Sequence, residues 1–304
     1  EFLTFAALAG QGDHIVATRQ IYAATQLVLQ VMCPRFGIDV TFVDGTEPGA
    51  MAAAVIPGRT MLVWAETPAN PRLDLVDLDE LGAIAGPMTV VDSTFATPLG
   101  QRPIDHGVDI VVHSATKALA GHNDATLGVV ATSQELVQWL TGFAVLKGAT
   151  ASPYDAANGI RGIRTLPVRF ARQTGTALEL ATWLDADDRA ANVRHPGLPS
   201  HPQHDLARRQ MRLTGGLLCF DLPGGLDAGR RFVEAVEVAQ LASSLGGPET
   251  LVTHPASTTH VNLLPDEMEA VGIGPGTIRM SIGLEDAADL RADLDRALSA
   301  AAGG

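Results

Sequence analysis

Of the 21 lysine and arginine residues in the sequence, only two, Lys117 and Lys147, are lysines. A guanidinium keeps its proton in proteins, whereas a lysine amine can lose it and form an imine with a carbonyl. Lys117 follows the apolar, β-branched run "VDIVV" (108–112), which reads as a buried parallel strand. The amine therefore belongs at the carboxyl end of a strand, where open α/β sheets bind their ligands. Other strand ends in the same half of the chain also turn polar. "WAETPANP" brings Glu66 and Asn70, "VVDSTFATP" brings Asp92 and Thr94, "VVHSATK" brings Ser114 and Thr116, and the loop "TRQIYAAT" brings Tyr22.

Taken singly, each of these residues has a plain structural reading. An aspartate after a valine pair ends a strand or caps a helix, a Ser-x-Thr pair makes a turn, and a lone tyrosine sits in a core or on its rim. Their conjunction at one sheet edge is different, because it assembles an amine, an acid, hydroxyl donors and an aromatic ring. That inventory suits pyridoxal 5'-phosphate: an amine for its aldehyde, an acid for its ring nitrogen, hydroxyls for its phosphate and an aromatic to stack on it.

The elements that must position these residues alternate along the first half. Strands are predicted at "HIVAT", "IDVTFVD", "TMLVWAET", "MTVVDST", "VDIVVHSATK" and "LGVVATS". Helices are predicted between or after them at "YAATQLVLQVMCPRFG", "PGAMAAAVI", "VDLDELGAIAG" and "QELVQWLTGF". This alternation implies a mostly parallel sheet covered on both faces. From Leu166 the pattern changes to a long amphipathic helix, "VRFARQTGTALELATWLDA", leading to strands "GGLLCFDL" and "TIRMSIGLE" and helices "AGRRFVEAVEVA" and "DAADLRADLDRALSAA". The expected organisation is a large domain over residues 1–175 and a smaller C-terminal α/β domain over 176–304. The opening "EFLTFAALAGQGD" reads as a helix already under way, so a preceding segment is expected.

Composition narrows the function classes. A net charge of −13 without a basic cluster speaks against nucleic acid as a partner. No apolar run approaches the ~20 residues that span a bilayer, and the first residues lack the layout of a signal peptide. A cytoplasmic location is the expectation. Cys33 and Cys219 show no metal-binding spacing and read as buried thiols, and no metal site is expected.

The block "VVDSTFATPLGQRPIDHGVDIVVHSATKALAGH" resembles the Cys/Met-metabolism family of pyridoxal-phosphate enzymes. That family includes cystathionine γ-synthase, cystathionine γ-lyase, methionine γ-lyase and the O-acylhomoserine sulfhydrylases. The resemblance continues through "ETPANP", "SPYDA", "RGIRTL", "PGLPSHPQHDLARRQM", "SSLGGPETLVTHPAS" and "RMSIGLED", and so covers the whole chain. It implies an aspartate aminotransferase-like α/β fold (fold type I) and a homotetramer built as a dimer of dimers, with active sites at subunit interfaces. By matching motif, Lys117 is similar to the lysine that carries the cofactor and Asp92 to the partner of its ring nitrogen. Ser114 and Thr116 resemble the hydroxyls on the phosphate side, Tyr22 the ring-stacking tyrosine that also serves the leaving group, and Asn70 the residue near the phenolic oxygen. Arg279 resembles the arginine that grips the substrate's α-carboxylate, with Ser244 beside it. The family's phosphate loop and its Tyr-x-Arg segment fall before Glu1.

Within the family, one position discriminates. Relatives that handle cystathionine commonly carry a glutamate before "SLGG", as a partner for the distal ammonium; here that position is Ser243. A neutral residue there favours a substrate with an uncharged distal end. The sequence departs from the methionine γ-lyase pattern at Ala24, Ala144 and Val145, while the "THPAS" block fits the lyases better than the sulfhydrylases. The leading expectation is γ-elimination on L-methionine. Cystathionine γ-lyase or γ-synthase and then O-acylhomoserine sulfhydrylase are the alternatives, with a non-enzymatic binding protein of the same shape as a further one.

Overall fold

Strands and helices alternate through the first half as the sequence pattern implies. The computed structural model describes residues 1–258, 268 and 272–303. The chain packs as two compact units that interleave in sequence. One comprises residues 1–70, 74–115 and 125–157, and the other residues 71–73, 116–124 and 158–304.

In the first unit, strands β1 (His14–Thr18), β2 (Asp39–Val43), β3 (Thr60–Glu66), β4 (Met88–Asp92), β5 (Ile110–Ser114) and β6 (Gly128–Ala131) form one sheet in the order β2-β1-β3-β4-β5-β6. All neighbours pair parallel except β5 and β6. The short helix α1 (Phe2–Leu8) precedes β1; α2 (Ala23–Leu27), α3 (Cys33–Arg35), α4 (Ala50–Ala53), α5 (Leu78–Gly82) and α6 (Thr97–Gly100) run between the strands, and α7 (Gln134–Lys147) follows β6.

Alternation along each strand supplies two apolar faces, because successive side chains point to opposite sides. Ile15, Ala17, Leu62, Trp64, Val90, Ile110 and Val112 pack with Phe5, Leu29 and Cys33 on one side. Val16, Val63, Ala65 and Val91 pack with Met51, Leu78 and Leu81 on the other. Strands buried on both faces need this near-continuous apolar character.

The helix expected from Tyr22 to Gly37 is split by a wide π-turn at Val28–Met32, which separates α2 from α3. Helices α4 and α5 are shorter than the sequence pattern suggested. Asp77 caps α5 by accepting from the amides of Asp79 and Glu80 at 3.0 and 3.4 Å.

Helix α8 (Pro153–Asp185) starts well before the predicted Val168 and carries Pro167 in its interior. Proline removes a helical hydrogen bond and so reads as a break in sequence. Here it lies on the exposed face of the helix, where water can take up the freed carbonyl. The expected boundary between residues 175 and 176 falls inside this helix.

The second unit holds a mixed sheet in the order β7-β8-β11-β10-β9, formed by β7 (Ala191–Arg194), β8 (Leu217–Asp221), β9 (Gln240–Leu241), β10 (Leu251–Thr253) and β11 (Thr277–Ser281). Of these, β8 and β11 were legible in advance; β7, β9 and β10 are two to four residues long and carry little periodicity. Helices α9 (His204–Gln210), α10 (Gly225–Ala235) and α11 (Ala287–Ala302) complete the described part. Its core is built by Leu180, Leu184, Phe220, Phe232, Met280 and Leu294. Cys33 and Cys219 are both buried free thiols. Among the described residues no cluster of His, Cys, Asp or Glu could hold a metal ion, and no helix is long and apolar enough to cross a membrane.

Candidate active site

The parallel strands of the first unit deliver their carboxyl ends to one edge of the sheet. Strand order reverses between β1 and β3, since β2 lies on one side of β1 and β3 on the other. Such a switch point opens a crevice at the carboxyl edge. Tyr22 follows β1, and Glu66 and Asn70 end and follow β3, so they flank this point.

Asp92 ends β4 directly opposite Glu66 in the β3–β4 register. Both carboxyls are only 5% exposed. Burial pushes the Asp92 carboxyl up to about 7, and the neighbouring Glu1 carboxylate adds to the effect. Glu66 is likewise raised well above the ordinary value, first by burial and then by Asp92. A buried acid in this condition favours a cationic or protonated partner, which would stabilise its ionised form.

Hydrogen bonds link the strand ends to one another. The Thr94 amide donates to Asp92 Oδ1 at 2.8 Å, and the Ser114 amide donates to Thr94 Oγ1 at 2.8 Å. Ser114 is the last residue of β5 and is partly exposed. The Glu66 carboxylate accepts the Tyr22 amide on Oε2 at 2.7 Å and the Asn70 amide on Oε1 at 2.8 Å. Tyr22 caps α2 and leaves its side chain 48% exposed, whereas Asn70 is buried. His113, one residue before Ser114, is buried, and burial lowers it to about 4, so it stays neutral.

In the second unit, Lys117 lies in the turn that follows the end of β5, alongside Thr116. Its Nζ donates to Ser244 Oγ at 3.0 Å. Burial, reinforced by the Arg279 guanidinium, holds the amine below the usual lysine range. Arg279 projects from β11, is 3% exposed, and donates from Nη2 to the carbonyls of Ser243 and Ser244, each at 3.1 Å. The lysine, the arginine and the serine pair thus form one connected group. The Ser243 side chain itself is exposed. Lys147, by contrast, is exposed at the end of α7, its ammonium 5.5 Å from the Phe143 ring centroid.

The turn after Lys117 is clamped from two sides. Gly246, with φ +78°, passes so close that a Cβ there would lie 2.5 Å from the Ala118 nitrogen. Gly162 on α8 meets it too, since a Cβ would fall 2.1 Å from the Ala120 carbonyl oxygen. Arg169, buried on the same helix, donates to Ala118 O at 3.0 Å, Gly162 O at 2.8 Å and Thr165 Oγ1 at 3.0 Å.

Sequence reasoning quoted Glu66 without giving it a role, and it passed over Arg169. Both left a signal. Glu66 is an acid closing an apolar strand, and Arg169 falls on the buried stripe of its helix, between Leu166 and Gln173.

Comparisons with known proteins agree with this geometry. The profile of the Cys/Met metabolism PLP-dependent enzymes matches residues 1–299. An L-methionine gamma-lyase of Pseudomonas deceptionensis is 44% identical, covering 98% of this chain and 76% of the relative. A cystathionine beta-lyase of Coxiella burnetii is 40% identical, covering 97% of this chain and 78% of the relative. The crystal structure of cystathionine gamma-lyase from Lactobacillus plantarum, complexed with L-serine, superposes with a TM-score of 0.94 at 32% identity, covering 98% of this chain and 78% of the other. With its α/β architecture, its desolvated amine and its buried strand-end acid, the chain belongs to the Cys/Met metabolism family of PLP-dependent enzymes.

Proposed function

We propose that the protein is a γ-lyase of sulfur amino acids that converts L-methionine and water to 2-oxobutanoate, ammonia and methanethiol. The observation that carries the choice of substrate is position 243. Its backbone carbonyl is held by Arg279 and the next residue bonds Lys117, yet its side chain is a neutral hydroxymethyl. A distal ammonium such as that of cystathionine meets no acid there. The absent charge-assisted bond corresponds to ~1.5–3 kcal/mol. The L-methionine γ-lyase relative is in keeping with this reading.

The residues present fit pyridoxal phosphate. Lys117 is a desolvated amine, as a group that holds the aldehyde carbon needs to be, and Asp92 is a buried acid for which a protonated ring nitrogen offers the missing positive partner. In this reading Tyr22 would stack on the ring, Ser114 and Thr116 would hold the phosphate, and Asn70 would serve the phenolic oxygen. When bound, the cofactor supplies an electron sink for the negative charge that develops at the substrate's Cα.

Arg279 binds the substrate carboxylate with its fixed charge and so orients the Cα–H bond. Lys117, held below the ordinary lysine value, takes the Cα proton, and Ser244 keeps the amine pointed. A second proton leaves Cβ, and its electron pair closes the Cβ–Cγ double bond as the Cγ–S bond breaks; Tyr22 gives its hydroxyl proton to the departing sulfur, so that a neutral thiol leaves.

The same reading includes a cytoplasmic homotetramer, with a large domain over 1–175 and a small one over 176–304. Exposed apolar side chains on α7 and α8, among them Leu146 at 85% and Val168 at 71%, are in keeping with assembly.

Product analysis of the holoenzyme tests the proposal. With methionine, 2-oxobutanoate, ammonia and thiol are expected in equal amounts, faster than any product from cystathionine. Faster thiol-dependent replacement on an O-acylhomoserine would overturn it.

A further inference from the structure

Glu66 is a buried acid that makes no ion pair among the described residues, and its nearest acidic neighbours, Asp92 and Glu1, are themselves negative. A buried charge in such company is costly unless it is well hydrogen-bonded. Both of its oxygens are engaged, and by backbone amides of two different loops. Oε2 takes the Tyr22 amide at 2.7 Å from the loop after β1, and Oε1 takes the Asn70 amide at 2.8 Å from the loop after β3. These loops flank the point where strand order reverses.

An amide side chain could not replace it in kind, because it offers one acceptor oxygen and turns two donors toward the second amide. Nor does the fold alone call for a carboxylate here, since a buried acid beside another acid lowers stability. The two amides are also what favours the ionised form of Glu66 against burial and Asp92. The Tyr22 ring, 48% exposed, gains little fixation from the core.

We propose that Glu66 is a positioning residue for the reaction: its carboxylate bridges the Tyr22 and Asn70 loops and fixes both side chains in register with Asp92 on the adjoining strand. This rests on the reading of Tyr22 and Asn70 as site residues.

The test is a double-mutant cycle on the holoenzyme, using whichever amino acid it turns over fastest, with E66Q, Y22F and the pair. Loss of one charge-assisted bond is expected to lower kcat by about tenfold to a hundredfold. KM should change by less than about threefold, because the substrate's carboxylate is bound elsewhere. In the Y22F background the same E66Q change is expected to cost several-fold less than in wild type, since the hydroxyl it positions is gone and only the Asn70 share remains. Equal factors in both backgrounds, or a wild-type kcat in E66Q, would overturn the inference while leaving the proposed function intact. An unchanged kcat in Y22F alone removes the role of Tyr22 and this inference with it. Should E66Q not fold, amide exchange in the wild-type holoenzyme decides: slow exchange at Tyr22 and Asn70 supports the bridge, and exchange at the rate of open loops refutes it.

Discussion

Replacing Asp92 with asparagine should strengthen the cofactor-free protein while crippling the enzyme. Holding a carboxyl whose ordinary value is 3.8 at about 7 costs about 4 kcal/mol at 1.36 kcal/mol per pH unit, once it is fully ionised. The sign follows from proton binding. Between these two values the folded state holds a proton that the unfolded state has released, so stability falls as pH rises through that window. An asparagine side chain does not titrate, so the variant escapes this loss. Water entry and a weaker bond from Thr94 reduce the ceiling, and a gain of about 1–2 kcal/mol for the variant between about pH 5.5 and about pH 8 is expected. Glu66 adds in the same direction, because it loses a charged neighbour. Urea unfolding of both cofactor-free proteins at the two pH values measures the gap. A gap independent of pH, or a variant weaker than wild type at the higher pH, would refute the reasoning. Turnover of the holo variant should drop strongly, because a neutral amide cannot stabilise a protonated ring nitrogen.

Lys117→Ala should abolish turnover and borohydride-fixed cofactor, whereas Lys147→Ala should leave both intact; peptide mapping of the reduced protein identifies the labelled residue. Ser243→Glu should raise the kcat/KM ratio of cystathionine over methionine by about tenfold or more, by supplying a partner for the distal ammonium. Unchanged ratios in steady-state assays would remove position 243 as the discriminator. Arg169→Met should destabilise the protein by about 1–3 kcal/mol in urea unfolding, because it leaves the buried Ala118 carbonyl without the guanidinium that donates to it.

The strand ends were legible because parallel strands announce themselves as β-branched runs that stop at polar residues. Lys117, Asp92 and Asn70 were located that way, and Ser114 does end β5. The short strands β7, β9 and β10 were not, since a segment of two to four residues has no period to read. The early start of α8 was hidden by Pro167, whose local rule is broken on an exposed helix face. The link from Lys117 to Ser244 spans 127 residues and has no local signature. Only the resemblance pointed to Ser244. Glu66 shows the same limit: its residue type was visible, but the two amides it accepts come from loops 4 and 44 residues away.

The interleaving of the two units sets an order of events during synthesis. Residues 116–124 belong to the second unit although they are flanked by segments 74–115 and 125–157 of the first. Every piece of the first unit has been translated by residue 157, so its sheet can form while the remainder is still on the ribosome. Lys117 has then been made, but Ser244 lies 127 residues further along the chain and Arg279 later still. At ~5–20 residues per second, the lysine waits roughly 6–25 s for its first partner. Throughout that interval its amine lacks both the Ser244 hydroxyl and the Arg279 guanidinium that later helps depress its basicity. The hydrogen bond and the neighbouring charge that set the state of Lys117 are therefore complete only once the C-terminal half has been made.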